Sequence, residues 1–233
     1  MSNILSKAFG ARSGKADASD LTDLQRTALG LEARMPAGKP FSLSIVSPRN
    51  GEGRSHMAAW LAIAFARMGR SCILVDGDLR HPRLHEWFGV SNEPGVAAML
   101  DGRAEIDCGT TWNAGTDLRV VAAGALPDMH KDPLALWHAP VSAPLFTRWL
   151  SEADVVIVDT PRALTYPDAQ VIAPQTDACV LVARQDVSYL AELSQTRDLM
   201  REAHANVLGC LHNMHPHPMS LRQSLALRPP RLS

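Results

Sequence analysis

From Phe41 onward the chain is built of short, continuous apolar runs separated by stretches with helical periodicity. The runs fall at Phe41–Ser47, Cys72–Asp76, Leu118–Ala122, Asp154–Asp159, Ala178–Ala183 and Val207–Leu211. They do not alternate in and out, as expected of parallel strands covered on both faces. Helical patterns fill His56–Met68, Leu145–Ser151 and Tyr189–His204, with Gly69 placed to end the first. Strand and helix alternate, which predicts a doubly wound α/β fold with a mainly parallel sheet. Before this region, residues 13–19 are small and polar, and Leu21–Arg34 predicts one helix with Asp20 as its N-cap, ended by Pro36 and Gly38. The organisation expected is a flexible lead-in over 1–38 carrying that helix, a domain over 39–213, and a flexible tail over 214–233 rich in proline and arginine.

Composition narrows this little. The 233 residues suffice for one full core, and 46% hydrophobic with 20% charged residues is ordinary for a globular domain. A net charge of -1 argues against a global field for nucleic acid, and no apolar run reaches the ~18 residues of a membrane span. The four cysteines lack C-x-x-C spacing, and Cys72, Cys179 and Cys210 sit in apolar runs, so buried, reduced thiols in a cytoplasmic protein are expected.

Three segments carry chemistry. Between the first strand and the first long helix lies Ser47-Pro48-Arg49-Asn50-Gly51-Glu52-Gly53-Arg54-Ser55. Its context is that of the phosphate-binding pattern G-x-x-x-x-G-K-S/T, with Arg54 at the lysine and Pro48 at the first glycine. Glycines let backbone N–H groups approach phosphates at a helix start, and Ser55 stands where a hydroxyl would meet Mg²⁺. The second segment, Ile73-Leu74-Val75-Asp76-Gly77-Asp78-Leu79-Arg80, ends a strand in two acids. The third, Val155 to Val158 followed by Asp159-Thr160-Pro161, ends another strand in a third acid. Acids at the carboxyl edge of such a sheet can activate a nucleophile or hold Mg²⁺. Any one of them could equally be a turn or a helix cap.

Taken together these segments resemble the cytoplasmic domain of bacterial tyrosine autokinases (BY-kinases), relatives of the partition and septum-site P-loop ATPases. The resemblance runs from about Phe41 to Asn213 and includes Asp76-x-Asp78-x-Arg80, Pro82-x-Leu84-His85-x-x-Phe88, Asn92 to Val96, Ala123-Gly124, Asp159-Thr160-Pro161, Asp168 and Leu208-Gly209-x-x-x-Asn213. It implies ATP or ADP with Mg²⁺, held by Asn50, Gly51, Glu52, Gly53, Arg54 and Ser55, with Asn213 reading the adenine. Asp76, Asp78 and Asp159 would carry catalysis, and Ser55, Asp78 and Asp159 the metal. It further implies a role in exopolysaccharide or capsule synthesis beside a separate membrane-spanning co-polymerase. Location would be cytoplasmic, with peripheral attachment at the inner membrane through that partner.

The chain departs from the family pattern. Arg54 replaces lysine with a bulkier planar fork, and Arg49 stands where partition-type relatives carry a signature lysine. The tyrosines are Tyr166 and Tyr189 alone, so the family's C-terminal tyrosine cluster has no counterpart, and ordinary packing is the plain reading of both. Asp20, Asp23 and Arg26 stand where the family's ring-forming helix carries a glutamate and two arginines, which sets a homo-oligomeric ring against a simple solvated face. Asp132-Pro133 only approximates an Asn-Pro segment, and His212, His215 and His217 lack acid or thiol partners for a metal. The sequence therefore leaves three readings: a nucleotide-dependent kinase or ATPase of polysaccharide synthesis, a pseudo-kinase acting as a regulatory binding subunit, and a partition-type positioning ATPase.

Overall fold

A computed structural model describes residues 18–107, 109–112, 116–128 and 131–213. The elements run α1 (Ala18–Glu32), β1 (Phe41–Val46), α2 (Arg54–Arg67), β2 (Cys72–Asp76), α3 (Leu84–Phe88), α4 (Val96–Leu100), β3 (Thr110–Thr111), β4 (Leu118–Val121), α5 (Pro133–Trp137), α6 (Ser142–Glu152), β5 (Val155–Asp159), α7 (Asp168–Ile172), β6 (Ala178–Arg184), α8 (Leu190–Glu202) and β7 (Val207–Asn213). One seven-stranded sheet has the order β3-β4-β2-β5-β1-β6-β7. Every pairing is parallel except β3 with β4. This is the doubly wound α/β architecture expected from the apolar runs.

The runs are continuous because successive residues serve opposite layers. On one face Leu43, Ile45, Cys72, Leu74, Val155 and Ile157 pack with α1, α2 and α3. On the other, Ile73, Val75, Val156 and Val158 pack with α4, α5, α6 and α7. The central helix α2 is buried from Ala58 to Ala66, and its alanines allow close approach to the sheet.

Several expectations are corrected. The first helix begins at Ala18, so Asp20 lies within its first turn and does not cap it. β3 and the five-residue helices α3, α4, α5 and α7 were not foreseen; Thr110 and Thr111 are too few to register as a run. Cys72 and Cys179 are buried free thiols, but Cys210 is exposed because β7 is the sheet's edge strand. Tyr189 precedes α8 and is 70% exposed, so it is not a packed residue. Cys108, the lead-in before 18, His215, His217 and the tail over 214–233 lie outside the described residues. Among the described residues no helix is long and apolar enough to cross a membrane.

Candidate nucleotide site

Register brings the acids together. β2 and β5 are adjacent and pair Asp76 with Asp159 at their carboxyl ends, while Ile45 of β1 pairs with Asp159 from the other side. The chain after β1 therefore passes over the same edge that carries the acids. Gly77 is held tightly there: its N–H donates to the Asp159 carbonyl at 2.8 Å, and a Cβ would lie 2.6 Å from that oxygen. Only glycine fits between the two acids of this turn.

The loop over 47–53 delivers the chain to α2 with Gly53 at the N-cap in a left-handed conformation, φ 89°. Gly53 has no side chain to cap this helix, and the residues that start it, Arg54, Ser55 and His56, line a cavity. A Cβ at Gly53 would stand 2.3 Å from the side-chain nitrogen of Asn213. That asparagine donates to the Glu52 carbonyl at 3.3 Å, placing the end of β7 directly on the loop. A cavity of about 720 Å³ opens here, lined by the loop, by Asp78, and by Trp60, Trp87 and Asn213. Leu24 and Thr27 of α1 close one side. The uncapped helix start, the glycines and the cavity fit the phosphates of a nucleotide.

Glu52 does not face this cavity as a ligand. It is 1% exposed; its carboxylate accepts from the Arg49 N–H at 2.7 Å and from the Ser188 hydroxyl at 2.6 Å, and burial raises its pKa. Arg184 donates to the Gly51 carbonyl at 2.9 Å, and Arg49 pairs with Glu192 at 2.7 Å. The segment 184–192 thus braces the loop from outside. Sequence reading missed this brace, since its residues lie more than a hundred positions from the loop and belong to no motif.

Arg54 takes an unexpected path. As the first residue of α2 it sends its guanidinium to the acids: Nε donates to Asp159 Oδ1 at 2.7 Å and Nη2 to Asp78 Oδ2 at 2.9 Å. All three side chains are below 10% exposure. An unpaired buried charge is costly, and the two carboxylates supply its counter-ions. Burial alone would favour a neutral group, yet Asp159 and Asp78 outweigh it and hold Arg54 charged. Ser55 hydrogen-bonds Asp159 as well, while burial raises that carboxyl against the pull of Arg54. The other oxygen of Asp78 accepts from the N–H groups of Arg80 and His81.

The expected metal set, Ser55, Asp78 and Asp159, is therefore assembled, but its carboxylates are bonded to a guanidinium. That arrangement does not fit a divalent cation beside them. Among the described residues no group of three or more His, Cys, Asp or Glu is disposed to hold a metal ion.

Asp76 is different again. Its Oδ2 accepts from the N–H groups of Arg83 and Leu84, both at 3.0 Å, at the start of α3. Its Oδ1 is buried without a hydrogen-bond partner. Burial, reinforced by the charge of Asp159, pushes its pKa up to about 8. On the cavity wall His56 stacks on Trp87 at 4.4 Å, and burial with help from Arg184 and Arg83 lowers it to about 4, so it is a neutral ring.

At the rim, Arg80 reaches both oxygens of the fully buried Asp168 at 3.1 Å and Asp132 at 2.6 Å. It lies 4.5 Å over the Tyr166 ring, which Arg162 flanks at 5.5 Å. Asp132 also caps α5, accepting from Leu134 at 3.1 Å. The resemblance segments around Asn92 and Gly124 meet: Asn92 accepts from the Gly124 N–H, and Glu93 from that of Ala125.

The family model ParA, described as NUBPL iron-transfer P-loop NTPase, matches residues 41–223. The chain belongs to this family of P-loop NTPases. It is 29% identical over 175 residues to CapB of Staphylococcus aureus, whose name assigns it provisionally to the tyrosine-protein kinases, covering 75% of each chain. The tyrosine-protein kinase YwqD of Bacillus subtilis is 28% identical over 172 residues, covering 74% of this chain and 71% of the relative. EpsB of Ralstonia solanacearum, named as provisionally as CapB, is 31% identical over 81% of this chain, which spans only 24% of that longer protein.

Among solved structures, the kinase domain of Escherichia coli tyrosine kinase ETK superposes with a TM-score of 0.78 at 25% identity, over 91% of this chain and 87% of that one. The septum site-determining protein MinD of Pyrococcus horikoshii, solved with Mg-ADP, has a TM-score of 0.63 at 22% identity, over 76% of this chain and 71% of that one, and shares the fold. The kinship to bacterial tyrosine kinases expected from the motifs is borne out, as is the P-loop ATPase fold. A P-loop NTPase site for nucleotide is what this family provides.

Proposed function

We propose that this chain binds an adenine nucleotide and serves exopolysaccharide or capsule synthesis as the nucleotide-dependent partner of a membrane-spanning co-polymerase. One observation carries the binding: the uncapped start of α2, entered through Gly53, opens onto a cavity able to house a nucleotide. Backbone N–H groups of the loop over 50–55 hold the phosphates, and Asn213 at the loop's flank reads the base. The polysaccharide role rests on the kinship to the kinases and on the motif resemblance, and so does the cytoplasmic placement at the inner membrane. Calorimetric titration with ATP and ADP tests the binding, with micromolar affinity expected and loss of it in Gly53→Val. Absence of heat with either nucleotide would contradict it.

A second reading is favoured by the Arg54 geometry. In it the chain is a binding subunit that senses nucleotide without transferring phosphate. The carboxylates that would organise the reaction are spent on a protein cation, and Asp76 is held neutral near pH 7 and spends one oxygen on the start of α3. Label transfer from γ-labelled ATP to a tyrosine-containing polymer separates the two. Transfer that disappears in Asp76→Ala would support the kinase; binding without transfer or hydrolysis would support the sensor.

A further inference from the structure

Arg54 stands at the lysine position of the loop and is bonded to Asp159 at the end of β5 and to Asp78 in the turn after β2, at 2.7 and 2.9 Å. The loop hydroxyl, Ser55, hydrogen-bonds Asp159 too. Asp159 and Asp78 are thus engaged with a guanidinium and Ser55 with Asp159, while the neighbouring Asp76 is 1% exposed and bonded through Oδ2 to the start of α3, its Oδ1 alone being without a partner. We infer that Arg54 is the resident cation of the site, seated where a divalent metal would lie, and that nucleoside di- or triphosphate binds without metal. The inference rests on the nucleotide reading above and concerns how that site balances charge.

Two physical points support it. A guanidinium is a permanent cation with five donors in a planar fork, and two of them serve these carboxylates, one on each. A divalent ion would have to expel it from a site where all three partners are nearly dry, and the freed charge would need new counter-ions. The second point is the composition of the chamber. Arg49, Arg83, Arg162 and Arg184 line it together with Arg54, against the acids Asp23, Glu52 and Asp78. Glu52 is turned away into its brace, Asp23 is paired with Arg26, Asp78 and Asp159 with Arg54, and Arg49 with Glu192, so Arg83, Arg162 and Arg184 are left to supply the positive charge that phosphates need.

The test is calorimetric titration of the wild-type protein with ADP and ATP, in chelator and in excess Mg²⁺, with melting curves in Mn²⁺ alone for wild type, Arg54→Ala and Arg54→Lys. Expected dissociation constants agree within about threefold in chelator and Mg²⁺. Tightening by Mg²⁺ of about tenfold or more would overturn the inference and leave the nucleotide reading standing. No binding under either condition would instead overturn the nucleotide reading, and the Mn²⁺ curves would then decide the cation assignment. There, wild type is expected not to respond, whereas Arg54→Ala, with its acids released, gains a saturable rise of several degrees. Arg54→Lys serves the same comparison with a cation retained for folding and is expected to respond less than Arg54→Ala. A wild-type response as large as that of Arg54→Ala would overturn the assignment.

Discussion

Two arginines in this molecule each bridge two aspartates, and they do so in different surroundings. Arg54 joins Asp78 and Asp159 at the sheet edge, with every partner below 10% exposure. Arg80 joins Asp168 and Asp132 at the rim, where Arg80 is 20% and Asp132 56% exposed, and only Asp168 is fully buried. The chemistry of the pair is the same, and the environment sets its duty. In the dry cluster the guanidinium is the counter-ion of two buried carboxylates at the sheet edge. At the rim it ties α5 and α7 to the turn after β2 while water shares the load.

Breaking the dry cluster should have the largest effect. Arg54→Ala leaves two buried carboxylates uncompensated, and chemical denaturation should show a loss of about 3–5 kcal/mol. Next, the neutral Asp76 makes stability depend on pH. Its folded pKa of about 8 lies above the unfolded value, so the fold holds this proton more tightly. That contribution is full below the unfolded pKa near 4 and is lost as pH rises towards 8. Melting temperatures of wild type should fall over this window, and Asp76→Asn should flatten the slope; an unchanged slope would mean the carboxyl is ionised in the fold.

Arg80→Ala should cost less than Arg54→Ala, about 2 kcal/mol, since one of its two acids is solvated. The smallest effect belongs to Arg49→Ala, whose partner Glu192 is met by a side chain 63% exposed, so the same assay should register under about 1 kcal/mol. Equal losses for Arg54 and Arg49 would remove burial as the explanation.

The same contrast marks what could be read in the sequence. The six parallel strands were legible as apolar runs; in β1, β2, β5 and β6 the cause is cover on both faces, whereas β7 is a half-exposed edge strand. The loop was legible because Gly51, Gly53 and Ser55 punctuate the step from strand to helix. β3 was not, since its two threonines gain order from pairing with β4 and not from a run of their own. The acids could be placed at strand ends, but only the register of β2 on β5 sets Asp76 beside Asp159. The position of Arg54 was legible, its partners were not: from the lysine pattern it belonged with phosphates, whereas the low dielectric of the edge turns it to the nearest carboxylates. The brace of Glu52 by Ser188 spans 136 positions and has no sequence signature. Cys210 and Tyr189 were misjudged because apolar neighbours say nothing of which strand or helix start lies at an edge.

The most direct measurement is a crystal structure of the protein grown with ADP and Mn²⁺, using the anomalous signal of the metal. The account predicts diphosphate on the N–H groups of the loop over 50–55, Arg54 still bonded to Asp78 and Asp159, and no anomalous peak between them. An anomalous peak bridging Asp78 and Asp159, with the guanidinium displaced, would contradict it.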